Sequence, residues 1–262
     1  MSMVEIVFSP TGGTEKVADK LTARLAECCD IADRQVVDLV NPAFNAHLVE
    51  ISSDDVVVIA VPSFGGRMPS TATERLSQIN GHGATAILVC VYGNRAFEDT
   101  LVEFEDVVRG AGFVVVAAVA AIAEHSIVRS VAAGRPDAAD FEELTSFADR
   151  IAERLQICAT GEAVEQPAIP GNRPYKEAGG SGMVPKASKA CVNCGICAKA
   201  CPVQAIDAED CHKIDSERCI SCMRCVSVCP HNARAVSGVM LATVSAVLKK
   251  ACAGRRENEL FL

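Results

Sequence analysis

Five apolar runs rich in Val and Ile divide the first 158 residues of the chain: 4–8, 36–39, 56–61, 86–91 and 113–123. Apolar and polar residues hardly alternate within them, which is typical of parallel strands covered on both faces. Between the runs, apolar residues recur at helical spacing, most clearly at Phe141, Leu144, Ala148, Ile151 and Leu155. Five strands that alternate with helices predict a doubly wound α/β sheet in residues 1–158.

The pattern changes after residue 158. Residues 159–187 are rich in Pro and Gly, which predicts an irregular linker that lies along a surface. Residues 188–237 form a small cysteine-rich unit that is too short for a conventional apolar core. We therefore expect bound metal to stabilise its fold. Residues 238–262 predict a closing helix followed by a solvated basic tail. Residues 41–53 fit either a short helix or a loop.

Eight of the fourteen cysteines form two identical runs. Each run reads Cys-x-x-Cys-x-x-Cys-x-x-x-Cys-Pro, and the second follows the first at a constant offset of 28 residues. Structural zinc also uses Cys-x-x-Cys pairs, but zinc does not explain a Cys-Pro ending that occurs twice. The pattern therefore favours iron–sulfur clusters. Cys211, between the runs, is either a spare ligand or a packing residue.

This half of the chain resembles the bacterial two-cluster ferredoxins over about 45 residues, with all eight ligand positions present. The resemblance implies two 4Fe–4S clusters in a small α+β domain. It also implies that the fourth cysteine of each run ligates the other cluster. Cluster I then takes Cys191, Cys194, Cys197 and Cys229, and cluster II takes Cys219, Cys222, Cys225 and Cys201.

The turn between the first strand and the first helix is rich in hydroxyls and glycine. Backbone N–H groups of such a turn and of the following helix N-terminus face an anion, which predicts a phosphate site. An ordinary helix cap at Thr11 or Thr14 is the alternative. A Walker loop and a dinucleotide fingerprint are excluded because their glycine and lysine spacings are absent. The phosphate-site residues are Ser9, Thr11, Gly12, Gly13 and Thr14.

Two further loops follow the third and fourth strands. With the phosphate loop they resemble the flavodoxins over residues 1–158, which implies a sheet of order 2-1-3-4-5 with FMN at its carboxyl edge. Phe64 and Tyr92 are the candidates that flank the flavin ring. The resemblance adds as cofactor residues Pro62, Ser63, Phe64, Gly65, Gly66, Tyr92, Gly93, Asn94 and Arg95. The whole chain resembles the flavodoxin–ferredoxin fusion proteins of anaerobic bacteria and archaea.

Net charge and composition narrow the function classes. A formal net charge of −8 and few aromatic residues argue against nucleic-acid binding. The longest apolar run is too short to span a bilayer, and clustered reduced thiols predict a cytoplasmic protein. No acid–base or nucleophile constellation is visible, which favours an electron carrier between FMN, the clusters and a redox protein partner.

Two alternatives remain open at this point. One is a flavin-dependent reductase in which Arg67 and Arg95 hold a small anionic substrate; each arginine is equally explained by a pair with a surface carboxylate. The other is a module of a larger redox complex. His125 follows the last strand and either lines the flavin edge or caps its loop. The donor, the acceptor, the potentials and the oligomeric state are not predicted.

Overall fold

The computed structural model describes residues 1–160, 164–179 and 182–262. Its main sheet contains five parallel strands in the order β2-β1-β3-β4-β5, as the sequence predicts. Their bounds are β1 (Met3–Val7), β2 (Arg34–Asp38), β3 (Val56–Pro62), β4 (Thr85–Tyr92) and β5 (Val114–Ile122). The strand order reverses between β1 and β3, so this edge is the switch point at which ligands of doubly wound sheets bind.

Helices cover both faces of this sheet because its strands are apolar on both sides. One face packs against α1 (Gly13–Cys28) and α4 (Ala138–Ala159). The other packs against α2 (Ser70–Leu76) and α3 (Thr100–Gly110). In the uncertain stretch 41–53 the structure has only a 3-10 turn at Ala46–Leu48.

The C-terminal tail differs from the solvated tail that the sequence predicts. Helix α7 (Gly238–Ala251) is followed by a strand, β8 (Glu259–Phe261), which pairs antiparallel with β5 and becomes the edge of the sheet. The Arg255 guanidinium forms ion pairs with Asp137 and Asp140 instead of facing solvent alone. A three-residue strand carries no periodic signal, and its pairing depends on tertiary contacts.

Residues 164–179 run along α3 without regular structure. Arg173 pairs with Asp106, whereas the backbone N–H groups of Asn172 and Lys176 donate to the Asp99 carboxylate. The predicted linker thus lies on the surface of the sheet domain over these residues. Its residues 161–163 and 180–181 lie outside the described part of the chain.

The cysteine-rich unit is duplicated in its backbone as well as in its sequence. Two single-turn helices, α5 (Ile196–Lys199) and α6 (Arg224–Ser227), start 28 residues apart. Left-handed backbone recurs at the same offset, at Asn193 and Ser221 and again at Gln204 and Asn232. A two-stranded ribbon of β6 (Lys186–Ala187) and β7 (Arg234–Ala235) joins its ends.

Hydrogen bonds tie this unit to the sheet domain. Arg224 and Ser227, both on α6, donate to the backbone carbonyl of Pro10 in the turn after β1. On the opposite side Arg75 donates to the carbonyl of Pro202. In the described part of the chain, no helix has the length and hydropathy needed to cross a membrane.

Candidate functional site

A cleft of about 310 Å³ opens at the carboxyl ends of β1, β3, β4 and β5. This volume lies at the lower end of the range typical of small-molecule sites. Most of the predicted cofactor residues line it: Thr11, Gly13, Thr14, Pro62, Ser63, Phe64, Gly65, Gly66, Tyr92, Gly93 and Arg95. The structure therefore brings together three loops that are far apart in the chain.

Ser9, Gly12 and Asn94 do not line the cleft. The Ser9 hydroxyl accepts a hydrogen bond from the Glu15 backbone N–H at 2.9 Å and so pairs one of the N–H groups in the first turn of α1. Gly12 is left-handed, with φ 87°, and lets the turn enter the helix. The Asn94 side chain holds the tail, because its amide nitrogen donates to the Gly254 carbonyl at 2.8 Å.

The loop after β3 depends on two consecutive glycines. Gly65 and Gly66 are both left-handed, with φ 63° and 85°. A Cβ on Gly66 would lie 2.0 Å from the Glu98 carboxylate, so no larger residue fits unless Glu98 moves. This tight turn leaves Phe64 half-buried at the cleft wall.

The two aromatic residues of the loops differ in their surroundings. The Tyr92 ring packs edge-on against Phe97, with ring centroids 5.3 Å apart, in a cluster with Ala120 and Ile122. Burial raises the pKa of the Tyr92 hydroxyl to about 12. Phe64 has no such buried cluster, so of the two it is the ring better placed to contact a planar ligand.

Both arginines of the cofactor loops are paired with carboxylates. Arg67 makes two hydrogen bonds to Glu103, at 2.7 and 2.9 Å, and does not line the cleft. Arg95 lines the cleft but pairs with Glu98 at 2.7 Å. The pairing therefore agrees with the carboxylate interpretation, and Arg95 is the one of the two that lines the cleft.

His125 both lines the cleft and orders its own loop. Its Nδ1 accepts hydrogen bonds from the backbone N–H groups of Ile127 and Val128, at 3.2 and 3.1 Å. Burial lowers the pKa of His125, so the ring is neutral at pH 7 and carries its proton on Nε2. Gly93 is required beside it, since a Cβ there would lie 2.6 Å from the ring.

Besides the three loops, the cleft has a further wall that was not predicted from the sequence. It comes from the cysteine-rich unit and from α7, through Ile220, Ser221, Cys222, Val244 and Leu248. No signal in the sequence connects these residues to the phosphate loop, because their proximity results from how the two units pack.

The eight predicted ligand cysteines line two separate cavities in the crossed sets that the ferredoxin resemblance implies. Cavity I is lined by Cys191, Cys194, Cys197 and Cys229, together with the buried Cys211. Cavity II is lined by Cys201, Cys219, Cys222 and Cys225. The fourth cysteine of each run thus lies with the first three of the other run.

Backbone N–H groups and burial shape the chemistry of these thiols. The amides of Ala205 and Ala233 each donate to a sulfur, Cys201 and Cys229 respectively, at 3.3 Å. Burial raises the pKa of Cys222 and of Cys225 to about 12. Metal ligation requires thiolates, so a metal held by these cysteines would displace their protons.

Comparison with known proteins assigns the cysteine-rich unit. Residues 187–207 and 212–235 match the 4Fe-4S binding domain family. No match was found among curated proteins. The chain thus joins a flavodoxin-like α/β fold, identified by its strand order, to a 4Fe-4S binding domain.

Solved structures similar to the chain cover its N-terminal part. A flavodoxin from an archaeon is 16% identical with a TM-score of 0.43, and covers 60% of this chain and 99% of its own. The Streptococcus pneumoniae TIGR4 flavodoxin is 22% identical with a TM-score of 0.41, and covers 58% and 99%. Rubredoxin oxygen:oxidoreductase from Desulfovibrio gigas is 17% identical with a TM-score of 0.42, and covers 62% and 37%.

Proposed function

We propose that this protein is an electron-transfer protein that relays electrons between one FMN in the cleft and two 4Fe–4S clusters, and exchanges them with a redox protein partner. One observation carries the proposal. Cys222 and Ile220 line both the cleft and cavity II, so the two candidate cofactor sites are adjacent. A short separation of this kind suits electron transfer within the chain.

The residues of the cleft fit FMN. The turn after β1 offers backbone N–H groups and the Thr11 and Thr14 side chains to a phosphate at the start of α1. Phe64, Ile220 and Leu248 supply apolar walls suited to a planar ring. The His125 ring adds one uncharged N–H donor at the edge.

The thiols of cavities I and II fit iron–sulfur clusters. Each cavity offers the four predicted ligand cysteines, the number that a 4Fe–4S cluster takes, and cavity I has Cys211 in addition. Cys194 is exposed, whereas Cys201, Cys222 and Cys225 are buried. Cavity I is therefore the end that meets a partner, and cavity II is the end that meets the cleft.

The chemistry itself belongs to the cofactors: a flavin exchanges one or two electrons, and each cluster exchanges one. The chain binds them, excludes water and sets the distances. The cleft is lined in part by Ile220, Ser221 and Cys222 of the cysteine-rich unit, which places cavity II next to it. This favours a carrier over the flavin-dependent reductase.

Anaerobic reconstitution tests the proposal. We expect about eight iron atoms, as two 4Fe–4S clusters require, and one FMN per chain. The protein is then chemically reduced and mixed with an excess of an oxidised electron acceptor that contains no flavin. The acceptor should reoxidise the flavin of the protein through the clusters. Cys222→Ala and Cys194→Ala should each slow this reoxidation, because each variant loses one of the two clusters that the electrons pass through. Iron near half the expected amount, stoichiometric zinc, or a wild-type rate in both variants would contradict the relay.

A further inference from the structure

A buried arginine breaks the symmetry of the duplicated unit. Arg234 is 3% exposed, and its Nε donates a hydrogen bond to the Sγ of Cys197 at 3.2 Å. Its two Nη atoms donate to the backbone carbonyls of Pro185 and Cys211. Three hydrogen bonds, one of them to Cys197 of cavity I, thus hold the guanidinium in place.

The equivalent position of the first repeat has no such group. Ile206 lies 28 residues before Arg234, follows its Cys-Pro pair at the same distance, and is 6% exposed. The backbone N–H bonds to sulfur, in contrast, occur in both repeats, from Ala205 and from Ala233, at the same 3.3 Å. At this matched pair of positions, the side chain of Arg234 donates a hydrogen bond to a sulfur of cavity I, whereas the side chain of Ile206 has no donor.

We propose that Arg234 raises the reduction potential of cluster I above that of cluster II. The proposal rests on the proposed function, since it requires both cavities to hold clusters. Reduction adds one negative charge to a cluster, and hydrogen bonds to the ligating sulfurs and nearby positive charge stabilise that charge. Arg is protonated at any physiological pH, so both contributions are permanent.

The guanidinium charge also acts on Cys225 of cavity II, where it forms no hydrogen bond. Both clusters therefore gain from the charge, but only cluster I gains from the donor. Solvent acts in the same direction, because Cys194 of cavity I is exposed while three of the four thiols of cavity II are buried.

A difference of this sign sets where an electron resides. An electron shared between the two clusters occupies cluster I more often, at the exposed end of the unit and away from the cleft. Arg234 would thus bias electrons toward the redox partner and away from the flavin. An isoleucine at this position would make the two clusters more alike.

EPR-monitored potentiometric titration of the reconstituted full chain tests this inference. Cys194→Ser first identifies the signal of cluster I by its loss. Arg234→Met should then make the potential of cluster I more negative, with a smaller change for cluster II. Arg234→Lys keeps the charge without the forked donor and should shift cluster I by less. Ile206→Met, at the matched position of the first repeat, should leave both potentials unchanged.

Each possible result decides a different question. If wild-type protein lacks two cluster signals, the proposed function fails before the arginine is tested. If both clusters are present and the two potentials move together, or neither moves, Arg234 does not distinguish them. Should Arg234→Met fail to assemble its clusters, an unchanged cluster I potential in Arg234→Lys would equally overturn the inference.

Discussion

The side-chain oxygen of Asn258 accepts a hydrogen bond from the backbone N–H of Ile122 at 2.8 Å, at the point where β5 ends. The Asn258 amide nitrogen donates to Glu143 and to Asp140 on α4. This buried residue therefore fastens the C-terminal tail to the sheet. Because α7 precedes the tail and lines the cleft, the same residue positions one wall of the cleft.

Asn258→Ala leaves the Ile122 N–H and the carboxylates of α4 without these partners. Leaving a buried polar group without its hydrogen-bond partner costs about 1–3 kcal/mol. We therefore expect the free energy of unfolding to fall by that amount. Urea denaturation of the cofactor-free protein measures it. Glu259→Ala, at the exposed start of β8, is the matched control and should change stability little. Equal losses in both variants would contradict the role of Asn258.

Gly66→Ala tests the turn after β3. The new Cβ meets the Glu98 carboxylate at 2.0 Å, so the loop must move and FMN binding should weaken at least tenfold, or about 1.4 kcal/mol. Gly83→Ala is the matched control: its φ is 84°, but nothing lies within 4 Å of the added Cβ. It should cost about 1–2 kcal/mol of stability and leave FMN affinity unchanged. Flavin fluorescence titration distinguishes the two.

Glu5 makes stability depend on pH. It lies on β1 and is 1% exposed, and within the part of the chain that the structure describes neither carboxylate oxygen has a hydrogen-bond partner. Burial, with Asp19 nearby, raises its pKa from 4.5 to about 7. The folded protein therefore keeps a proton that the unfolded chain loses, so stability falls as pH rises from about 4.5 to about 7.

Above pH 7 the full penalty, about 3 kcal/mol, is present. Glu5→Gln should remove it, so that the variant is more stable than wild type at pH 8 and similar at pH 4.5. Denaturation midpoints at the two pH values measure the effect. Glu153→Gln, on the exposed side of α4, serves as the control. A wild-type protein whose stability is flat between these pH values would refute the prediction.

The hydroxyls of Thr11 and Thr14 are expected to bind the flavin phosphate. Replacing both with Val keeps their shape and removes both hydroxyls, so FMN should be released during gel filtration while both cluster EPR signals persist. Thr73→Val, on α2 and outside the cleft, should retain flavin. Unchanged flavin content in the double variant would refute the phosphate site predicted at this turn.

Sequence patterns predicted the parts of the fold that local physics determines. The five parallel strands and their order follow from apolar runs and from the flavodoxin resemblance, and the structure confirms them, although the edge strand β2 is mostly exposed. The pairing of β8 with β5 could not be predicted, because three residues carry no periodicity. Helix α2 was also missed, since seven residues that start after Pro69 show little of a helical stripe.

The residues of the candidate site also fall into a group that the sequence predicts and a group that it does not. Its phosphate loop and its cysteines are contiguous motifs, and contiguous motifs are visible in a sequence. The wall of Ile220, Cys222 and Leu248 is not, because it depends on Arg224 and Ser227 reaching Pro10 across more than two hundred residues. The pairing of Arg67 with Glu103 is equally a tertiary outcome.

Cys201 tests the crossed ligand sets. It belongs to the first run in sequence, but it lines cavity II with Cys219, Cys222 and Cys225. Cys201→Ala should therefore damage cluster II and spare cluster I, because one corner of cluster II loses its thiolate and the iron there is easily lost. EPR of reduced and oxidised protein should place Cys201→Ala with Cys222→Ala rather than with Cys194→Ala.

Crossing also joins the two runs into one folding unit, since each cluster takes ligands from both. Metal binding contributes directly to the folding free energy of such small domains, so Cys201→Ala should lower the thermal stability of the loaded protein as much as Cys222→Ala does. Cys211→Ala, which removes a thiol outside both ligand sets, is the control and should retain both signals. If Cys201→Ala instead matches Cys194→Ala, each run holds its own cluster and the cavities do not reflect the ligand sets.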